Sequence, residues 1–451
     1  MSVASPQSVY FIGIGGIGMS ALARYFNRIG AEVGGYDLHQ TPLTRELERE
    51  GIEVHYEARP EHIPQHVDLV IYTPAVPNDF PELVEVRTQG LRLVKRAEAL
   101  GIISQRHRTL AVSGTHGKTT TSAMAAYLMK EANTDAVAFL GGISANYDTN
   151  YLAGSGEWLV VEADEYDRSF LQLNPEVAVV TFIEPDHMDI YGEASAFEDS
   201  FHDFISRIHE GGVVITKRAI AEQLKRSLQH VTTQTYGIED ESADWSAHNV
   251  TVIDGKYSFD LRHHDRYFRG LQLQMPGRHN IENAVAAVAA TVAAGVSLEL
   301  VVKLLGGFRG VQRRFEILGK WRGATIISDY AHHPTEVSAA ITSANELFGS
   351  YRVIGIFQPH LYSRTRDFAN EFAAALSDLQ EVVMLELYPA REIPIEGISS
   401  ITIFSNISAG KKYLVDSSEV VDLLRVLDGD ILLFMGAGDI DRIARSLLSE
   451  Q

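Results

Sequence analysis

Short, nearly unbroken apolar runs recur along this chain, each followed by a turn of small residues and then by apolar positions at helical spacing. The first is Ser8-Val-Tyr-Phe-Ile12; an apolar run of that length bounded by turn residues reads as a strand buried on both faces. Gly13-Ile-Gly15-Gly16-Ile17-Gly18 follows at once, the spacing predicts a helix from Met19 to Ile29, and Glu32-Val-Gly-Gly-Tyr-Asp37 reads as a second strand. Strands at residues 69–73 and 91–94 flank a helix at 83–89. The pattern restarts at Thr109-Leu-Ala-Val112, which runs into a glycine turn and a helix from Thr120 to about Glu131, with further strands at 158–162 and 177–183. Residues 243–274 break into short pieces around a turn at Asp254-Gly255 and predict an antiparallel excursion, after which Asn280 to Ala294 reads as a helix. A third restart places strands at 324–329, 352–357, 381–385 and 431–435 with helical segments between them. Such alternation is the signature of α/β layers with largely parallel sheets. Polar residues 104–108 and the end of the second unit near 315 divide the chain into expected domains 1–106, 107–316 and 317–451.

Composition narrows the class. At roughly 150 residues per domain, the 451 residues suit three domains, and 45% hydrophobic with 22% charged side chains is ordinary for a soluble globular protein. A formal net charge of −20 argues against general nucleic-acid binding, which needs a clustered basic surface. Cysteine is absent, which removes disulfides, thiolate metal ligands and a cysteine nucleophile. There is no run of about 18 apolar residues and no basic-then-apolar start of the secretory kind, so a cytoplasmic protein without membrane insertion is expected.

Chemistry concentrates at the strand ends. Val112-Ser-Gly114-Thr115-His116-Gly117-Lys118-Thr119-Thr120 joins a strand to a helix start, where backbone N–H groups and the helix dipole favour an anion. Lys118 would reach the terminal phosphates of a nucleotide and the Thr119 hydroxyl would sit on Mg²⁺. The strict phosphate-loop spacing wants glycine where Val112 stands, so by itself the loop is either a variant triphosphate site or an ordinary glycine turn. The first turn, with Asp37 nineteen positions after Gly18, fits a dinucleotide site, a site for another nucleotide diphosphate, or a structural turn. Glu162-Ala-Asp164-Glu165-Tyr-Asp167 and Glu184-Pro-Asp186-His187-Met-Asp189 put carboxylates and an imidazole at neighbouring strand ends, as a Mg²⁺ site or as helix caps facing solvent. Asn280 and Asn283 open a helix as base contacts or plain caps. Arg309 to Glu316 concentrates cations as a surface cluster or an anion contact, Asp329 to Glu336 is a strand-to-helix turn with two exposed imidazoles, and the two arginines of Phe357 to Asp367 suit a carboxylate or phosphate.

Taken in order, G-I-G-G-I-G-M-S, G-T-H-G-K-T-T, E-A-D-E-Y-D, D-H-M-D-I-Y-G, G-R-H-N-x-x-N, R-R-F-E, D-Y-A-H-H-P-T-E and F-Q-P-H-x-Y-S-R-T-R-D resemble the Mur ligases of peptidoglycan synthesis, above all their alanine-adding members. The likeness runs from residue 8 to about 440, and it includes the shorter glycine loop. It implies a Rossmann-like UDP-sugar domain, a central P-loop ATPase domain and a Rossmann-like amino-acid domain. UDP-N-acetylmuramate and L-alanine would be substrates, ATP and Mg²⁺ cofactors, and the protein a monomer or weak homodimer. By that resemblance Gly13, Gly15, Gly16, Ile17, Gly18, Met19 and Ser20 hold the UDP diphosphate, with Asp37, His333 and His360 also on the substrate side. Gly114 to Thr120, His279, Asn280, Asn283, Arg314 and Asp329 face ATP. Thr119, Glu162 and His187 hold metal, and Lys118, Glu162, His187, His332 and Arg364 carry catalysis, with His187 and His332 as candidate bases for the amine. Movement of residues from about 318 onward would close the site. Leu361 stands where many alanine-adding members carry arginine, and residues 141–150 follow the family pattern less well after the shared Gly-Gly. The rival readings are a murein-tripeptide recycling ligase on the same UDP-sugar, an NAD-dependent oxidoreductase and a non-catalytic nucleotide switch.

Overall fold

The computed structural model describes residues 6–449 except 187, 254 and 391, and at 188 and 189 the backbone alone. The first layer comprises β1 (Ser8–Ile12), α1 (Ile17–Arg28), β2 (Glu32–Tyr36), α2 (Pro42–Arg49), β3 (Glu53–His55), β4 (Leu69–Tyr72), α3 (Pro81–Thr88), β5 (Leu93–Lys95) and α4 (Arg96–Ser104). Its sheet order is β3-β2-β1-β4-β5, with every pairing parallel. All of β1 is buried, which explains its unbroken apolar run. The strand order reverses between β1 and β4, and the crevice at the carboxyl ends of such a pair is where open α/β sheets bind ligands.

One face of this sheet buries a carboxyl group. Glu82 is fully buried and accepts from the Tyr10 hydroxyl and the Arg59 N–H, each at 3.1 Å. Burial pushes the Glu82 carboxyl up to about 7 against these two hydrogen bonds. A raised folded-state pKa makes the fold hold the proton longer than the unfolded chain. The stability it brings is full below the unfolded value of 4.5 and is lost as pH rises to about 7. The total is on the order of 3 kcal/mol. The Glu82→Gln protein is therefore expected to lose less stability than wild type between these pH values and to be the more stable at pH 8, measured by urea unfolding. Parallel pH curves for the two proteins would refute this.

The second layer holds β6 (Arg108–Ser113), α5 (Lys118–Glu131), β7 (Val137–Ser144), β8 (Thr149–Leu152), β9 (Trp158–Glu162), β10 (Val177–Val180), α6 (Met188–Tyr191), α7 (Ala194–Ile205), β11 (Val213–Lys217), α8 (Arg218–Gln223) and β12 (Thr232–Ile238). Central β6 lies between β10 and β9 and is parallel to both, while β8 pairs antiparallel to β7 at the edge. The chain continues through β13 (Trp245–Ile253), β14 (Lys256–His263), β15 (Arg266–Leu273), α9 (Arg278–Ala293) and α10 (Leu298–Leu305). The antiparallel excursion expected over residues 243–274 falls on β13, β14 and β15, consecutive neighbours at the edge of the sheet, while β13 joins β12 in parallel, from Tyr236 opposite Trp245 to Ile238 opposite Ala247. The cause is local. Asp244 accepts from the Thr235 N–H at 2.7 Å and hydroxyl at 2.8 Å, and Glu239 N donates to Ala247 O at 2.8 Å, so a tight side-chain-braced loop returns the chain to its original direction.

Two compact units result. The first takes the chain up to His248 with Asp260–Leu271 and Glu282–Phe308; the second takes Asn249–Phe259, Gln272–Ile281 and the chain from Arg309. Within the first unit the two layers share one hydrophobic core, running from Val9, Phe11 and Phe26 through Phe139 and Leu159 to Phe201. Helix α1 is the link. Tyr25 packs on Phe139 and Tyr151 at 5.7 and 6.4 Å, and buried Arg24 reaches Glu46, Glu50 and Asn150. Asn150 in turn donates to Ser20 Oγ at 2.9 Å and Ile17 O at 2.5 Å. At the expected boundary of 104–108 the chain passes from α4 of the first sheet layer to β6 of the second.

The second unit carries β16 (Glu316–Trp321), β17 (Ala324–Asp329), α11 (Pro334–Phe348), β18 (Val353–Phe357), α12 (Tyr362–Asp367), α13 (Ala369–Ser377), β19 (Glu381–Leu385), α14 (Ser400–Phe404), β20 (Lys411–Val415), α15 (Val420–Val426), β21 (Ile431–Met435) and α16 (Ile440–Leu448). Its sheet runs β16-β17-β21-β18-β19-β20, antiparallel only at β16. Apolar side chains cover both faces. Among the described residues no helix is long and apolar enough to cross a membrane.

Candidate functional site

The loop between β6 and α5 is built for close backbone approach. Gly114 and Gly117 adopt φ of +123° and +82°, conformations that L side chains seldom reach. A Cβ on Gly114 would strike Thr181 Oγ1 and stand 2.7 Å from Phe182 N, and one on Gly117 would stand 2.5 Å from Asn283 Oδ1. Strand and loop are tied together beneath by Thr115 N to Phe182 O at 2.9 Å and by mutual bonds between Thr115 Oγ1 and the Glu184 backbone. His116 Nε2 lies 3.0 Å from Glu184 Oε2. Lys118, Thr119 and Thr120 form the first turn of α5, whose backbone N–H groups have no acceptors within the helix. The expected phosphate-loop residues therefore come together, and Asn283 joins them from α9.

Lys118 Nζ donates to Gly114 O at 2.8 Å and to both oxygens of Glu165 at 2.8 and 2.7 Å. Burial disfavours the Lys118 ammonium, but Glu165, Asp164 and Glu162 outweigh it and hold its pKa above the usual lysine value. Burial pushes the Glu165 carboxyl up, opposed by Lys118. Glu165 is 1% exposed, and its part here is not legible from sequence, which shows four carboxylates in residues 162–167 without saying which faces the lysine. Glu162 ends β9 beside Gly141, where any Cβ would overlap its carboxylate. His187 lies outside the described residues.

In the first layer, Gly13 at φ +89° lets its N–H and that of Ile14 donate to Tyr36 O at 2.8 and 2.9 Å. Ile17, Gly18, Met19 and Ser20 make the first turn of α1, with Gly16 before it. Asp37 bends back onto this turn and accepts from the Gly15 N–H at 2.7 Å, bracing the loop. A residue not singled out in the sequence stands beside it: Arg96, whose guanidinium lies against Gly18, while the preceding Lys95 pairs with Asp167 at 2.8 Å.

The second unit has its own set of polar side chains. Asp329 accepts from Phe315 N and Ala331 N, both at 2.7 Å, and burial raises its pKa against the pull of Arg314. Arg314 stands 4.0 Å from Glu336 and over the Tyr330 ring. His332 Nδ1 lies 3.0 Å from Tyr330 O, and the His332 backbone N–H donates to Glu336 at 3.1 Å; with Nδ1 as the donor, Nε2 is the ring acceptor. His360 is 5.9 Å from His332 and stacks on Tyr388 at 5.9 Å, an aromatic the sequence reading missed. His333 is 3% exposed and set edge-on to Phe368. Arg364 is buried in α12. Asn280 is buried, donating to Pro276 O at 2.6 Å, whereas His279 is exposed. The neighbouring Leu361 has φ +70° and donates to Tyr388 O at 3.0 Å.

A lysine-tipped glycine loop at the centre of a mainly parallel sheet, sharing its core with a five-stranded parallel nucleotide-type sheet, defines a multidomain α/β nucleotide-binding protein. Residues 8–108 match the Mur ligase family catalytic domain, 112–291 the Mur ligase middle domain and 313–438 the Mur ligase glutamate ligase domain. The chain is 47% identical over 444 residues to a UDP-N-acetylmuramate–L-alanine ligase of Porphyromonas gingivalis, covering 97% of each chain. It is 43% identical over 462 residues to one of Cytophaga hutchinsonii, covering 100% of this chain and 98% of the relative. The crystal structure of a UDP-N-acetylmuramate–alanine ligase from Thermotoga maritima matches with a TM-score of 0.84 at 29% identity over 98% of both chains. The chain belongs to the Mur ligase family.

Proposed function

We propose that this chain joins L-alanine to the carboxylate of UDP-N-acetylmuramate at the expense of ATP, a cytoplasmic step of peptidoglycan precursor synthesis. The observation that carries the reading is the Lys118 ammonium, held at the mouth of a left-handed glycine loop by a buried carboxylate. A triphosphate on that loop would take the place of Glu165 as its partner. The relatives' names supply the substrates, and the first glycine turn supplies a second anion site suited to a UDP diphosphate.

The sugar carboxylate is a poor acceptor for an amine because its leaving group would be oxide. Its oxygen attacks the γ-phosphorus of ATP, the bond to the β-phosphate oxygen breaks, and ADP leaves an acyl phosphate. The alanine nitrogen then attacks the acyl carbon, phosphate departs, and the amine gives up a proton. Lys118 and the N–H groups opening α5 neutralise charge on the transferring phosphoryl group and keep it in line. Thr119 and Glu162 would hold Mg²⁺, which when bound supplies further charge neutralisation. His332, oriented by Tyr330 O and Glu336, is our candidate to take the amine proton through Nε2. Arg364 and His360 are read as contacts on the amino-acid side.

Phosphate release tests the reading. It is expected with ATP, Mg²⁺, UDP-N-acetylmuramate and L-alanine together, and to fall to background when any one is left out. Equal or faster release with the murein tripeptide would overturn it in favour of the recycling reaction, and release without the sugar would favour the nucleotide switch. In the oxidoreductase reading Asp37 would serve a ribose; here it is bonded to the Gly15 N–H.

A further inference from the structure

Arg96 is the first residue of α4 and follows directly on β5, at the same carboxyl edge of the sheet as the Gly13 turn. A Cβ on Gly18 would stand 2.8 Å from its Nη1 and 3.1 Å from its Cδ. The guanidinium thus lies against the first turn of α1, where a side chain in place of Gly18 would crowd it. That turn already presents the positive end of a helix, so cation and helix end repel unless an anion comes between them. The carboxylate facing Arg96 across the loop is Asp164, at 3.6 Å, with the two side chains 24% and 34% exposed, a loose and partly solvated pair of the weak kind. Its neighbour Lys95 holds Asp167 more closely, at 2.8 Å. The loop carrying both carboxylates is itself strained, since Asp167 and Arg168 sit at φ of 52° and 53° without being glycine.

We propose that Arg96 is a binding residue for the diphosphate of the UDP-sugar, and that Asp164 competes with the diphosphate for it. The inference rests on reading the Gly13–Ser20 turn as the diphosphate site, and it assigns a side chain where that reading has only backbone. A guanidinium offers paired N–H donors matched to phosphate oxygens, and a diphosphate seated on the helix end meets it there. When the ligand arrives, Arg96 exchanges the weak contact with Asp164 for a charge-assisted one.

Calorimetric binding of UDP-N-acetylmuramate to the full chain decides the matter, using wild type, Arg96→Gln, Arg96→Lys, Asp164→Asn and the Arg96→Gln/Asp164→Asn double variant. Arg96→Gln is expected to raise Kd about 10- to 100-fold, as loss of a charged hydrogen bond does, with Arg96→Lys in between. Asp164→Asn is expected to lower Kd about 2- to 5-fold by freeing the arginine, and to have no effect once Arg96 is Gln. In turnover, Arg96→Gln should raise KM for the sugar and leave KM for ATP unchanged. A merely structural role would move both KM values and would not let the Asp164 variant tighten binding. Wild-type Kd in Arg96→Gln, or an Asp164→Asn effect independent of Arg96, overturns the inference. Failure of wild type to bind the UDP-sugar would instead overturn the diphosphate reading of the turn.

Discussion

Replacing Lys118 with alanine is expected to lower ligation by about 10³-fold or more while UDP-sugar binding stays near wild type. The activity loss follows from removing a preorganised cation from the point where phosphoryl charge develops, worth 10²–10³-fold or more in comparable sites. The separation of effects follows from placement, because Lys118 opens α5 whereas the turn proposed for the diphosphate opens α1. Removal also strands Glu165, which is 1% exposed and accepts two bonds from the ammonium. Without its partner that carboxyl must take a proton or destabilise the fold, since an unpaired buried charge is strongly unfavourable. A Lys118→Met/Glu165→Gln protein removes both charges, so it should recover stability and remain inactive. Phosphate release and calorimetric UDP-sugar binding are the measurements. Near-normal turnover in Lys118→Ala would remove the phosphate loop from the mechanism.

The second large effect is expected at Gly114. Alanine there must either adopt φ +123° or move the loop, and the unmoved loop brings its Cβ against Thr181 Oγ1 and to 2.7 and 2.9 Å from Phe182 N and O. Two of these neighbours are backbone atoms at the end of β10 and cannot rotate away. Backbone strain of this type costs on the order of 1–3 kcal/mol, and a displacement near 1 Å at a phosphoryl-transfer site costs about 10²-fold in rate. Gly114→Ala is therefore expected to raise KM for ATP and lower kcat together, by about 10²-fold in kcat/KM, with a modest drop in Tm and unchanged UDP-sugar affinity. Wild-type kcat/KM would show that the loop tolerates a side chain and that its left-handed glycine is incidental.

Much of this architecture is legible in the residue pattern. The strand at 8–12, the helix after Gly18, the loop at 114–118 and the third-layer strands lie within a few residues of where apolar periodicity puts them, because two-side-buried strands and helix starts leave local signatures. The parallel pairing of β13 does not, since it depends on the side-chain bonds Asp244 makes to Thr235. Nor does the shared core of the first unit, which arises because α1 has to cover two sheets at once, with Arg24 and Asn150 bonded across the join.

The local order of residues by itself determined the α/β class, the two glycine turns and the acidic strand ends, since each depends on neighbours within a few positions. Pairing across the fold decided the rest: Glu165 on Lys118, Asp37 on its own turn, Arg96 on Gly18 and Tyr388 on His360. A carboxylate's partner is set by where two strand ends meet in space. That distance is established when the sheets pack, and spacing along the chain carries no record of it.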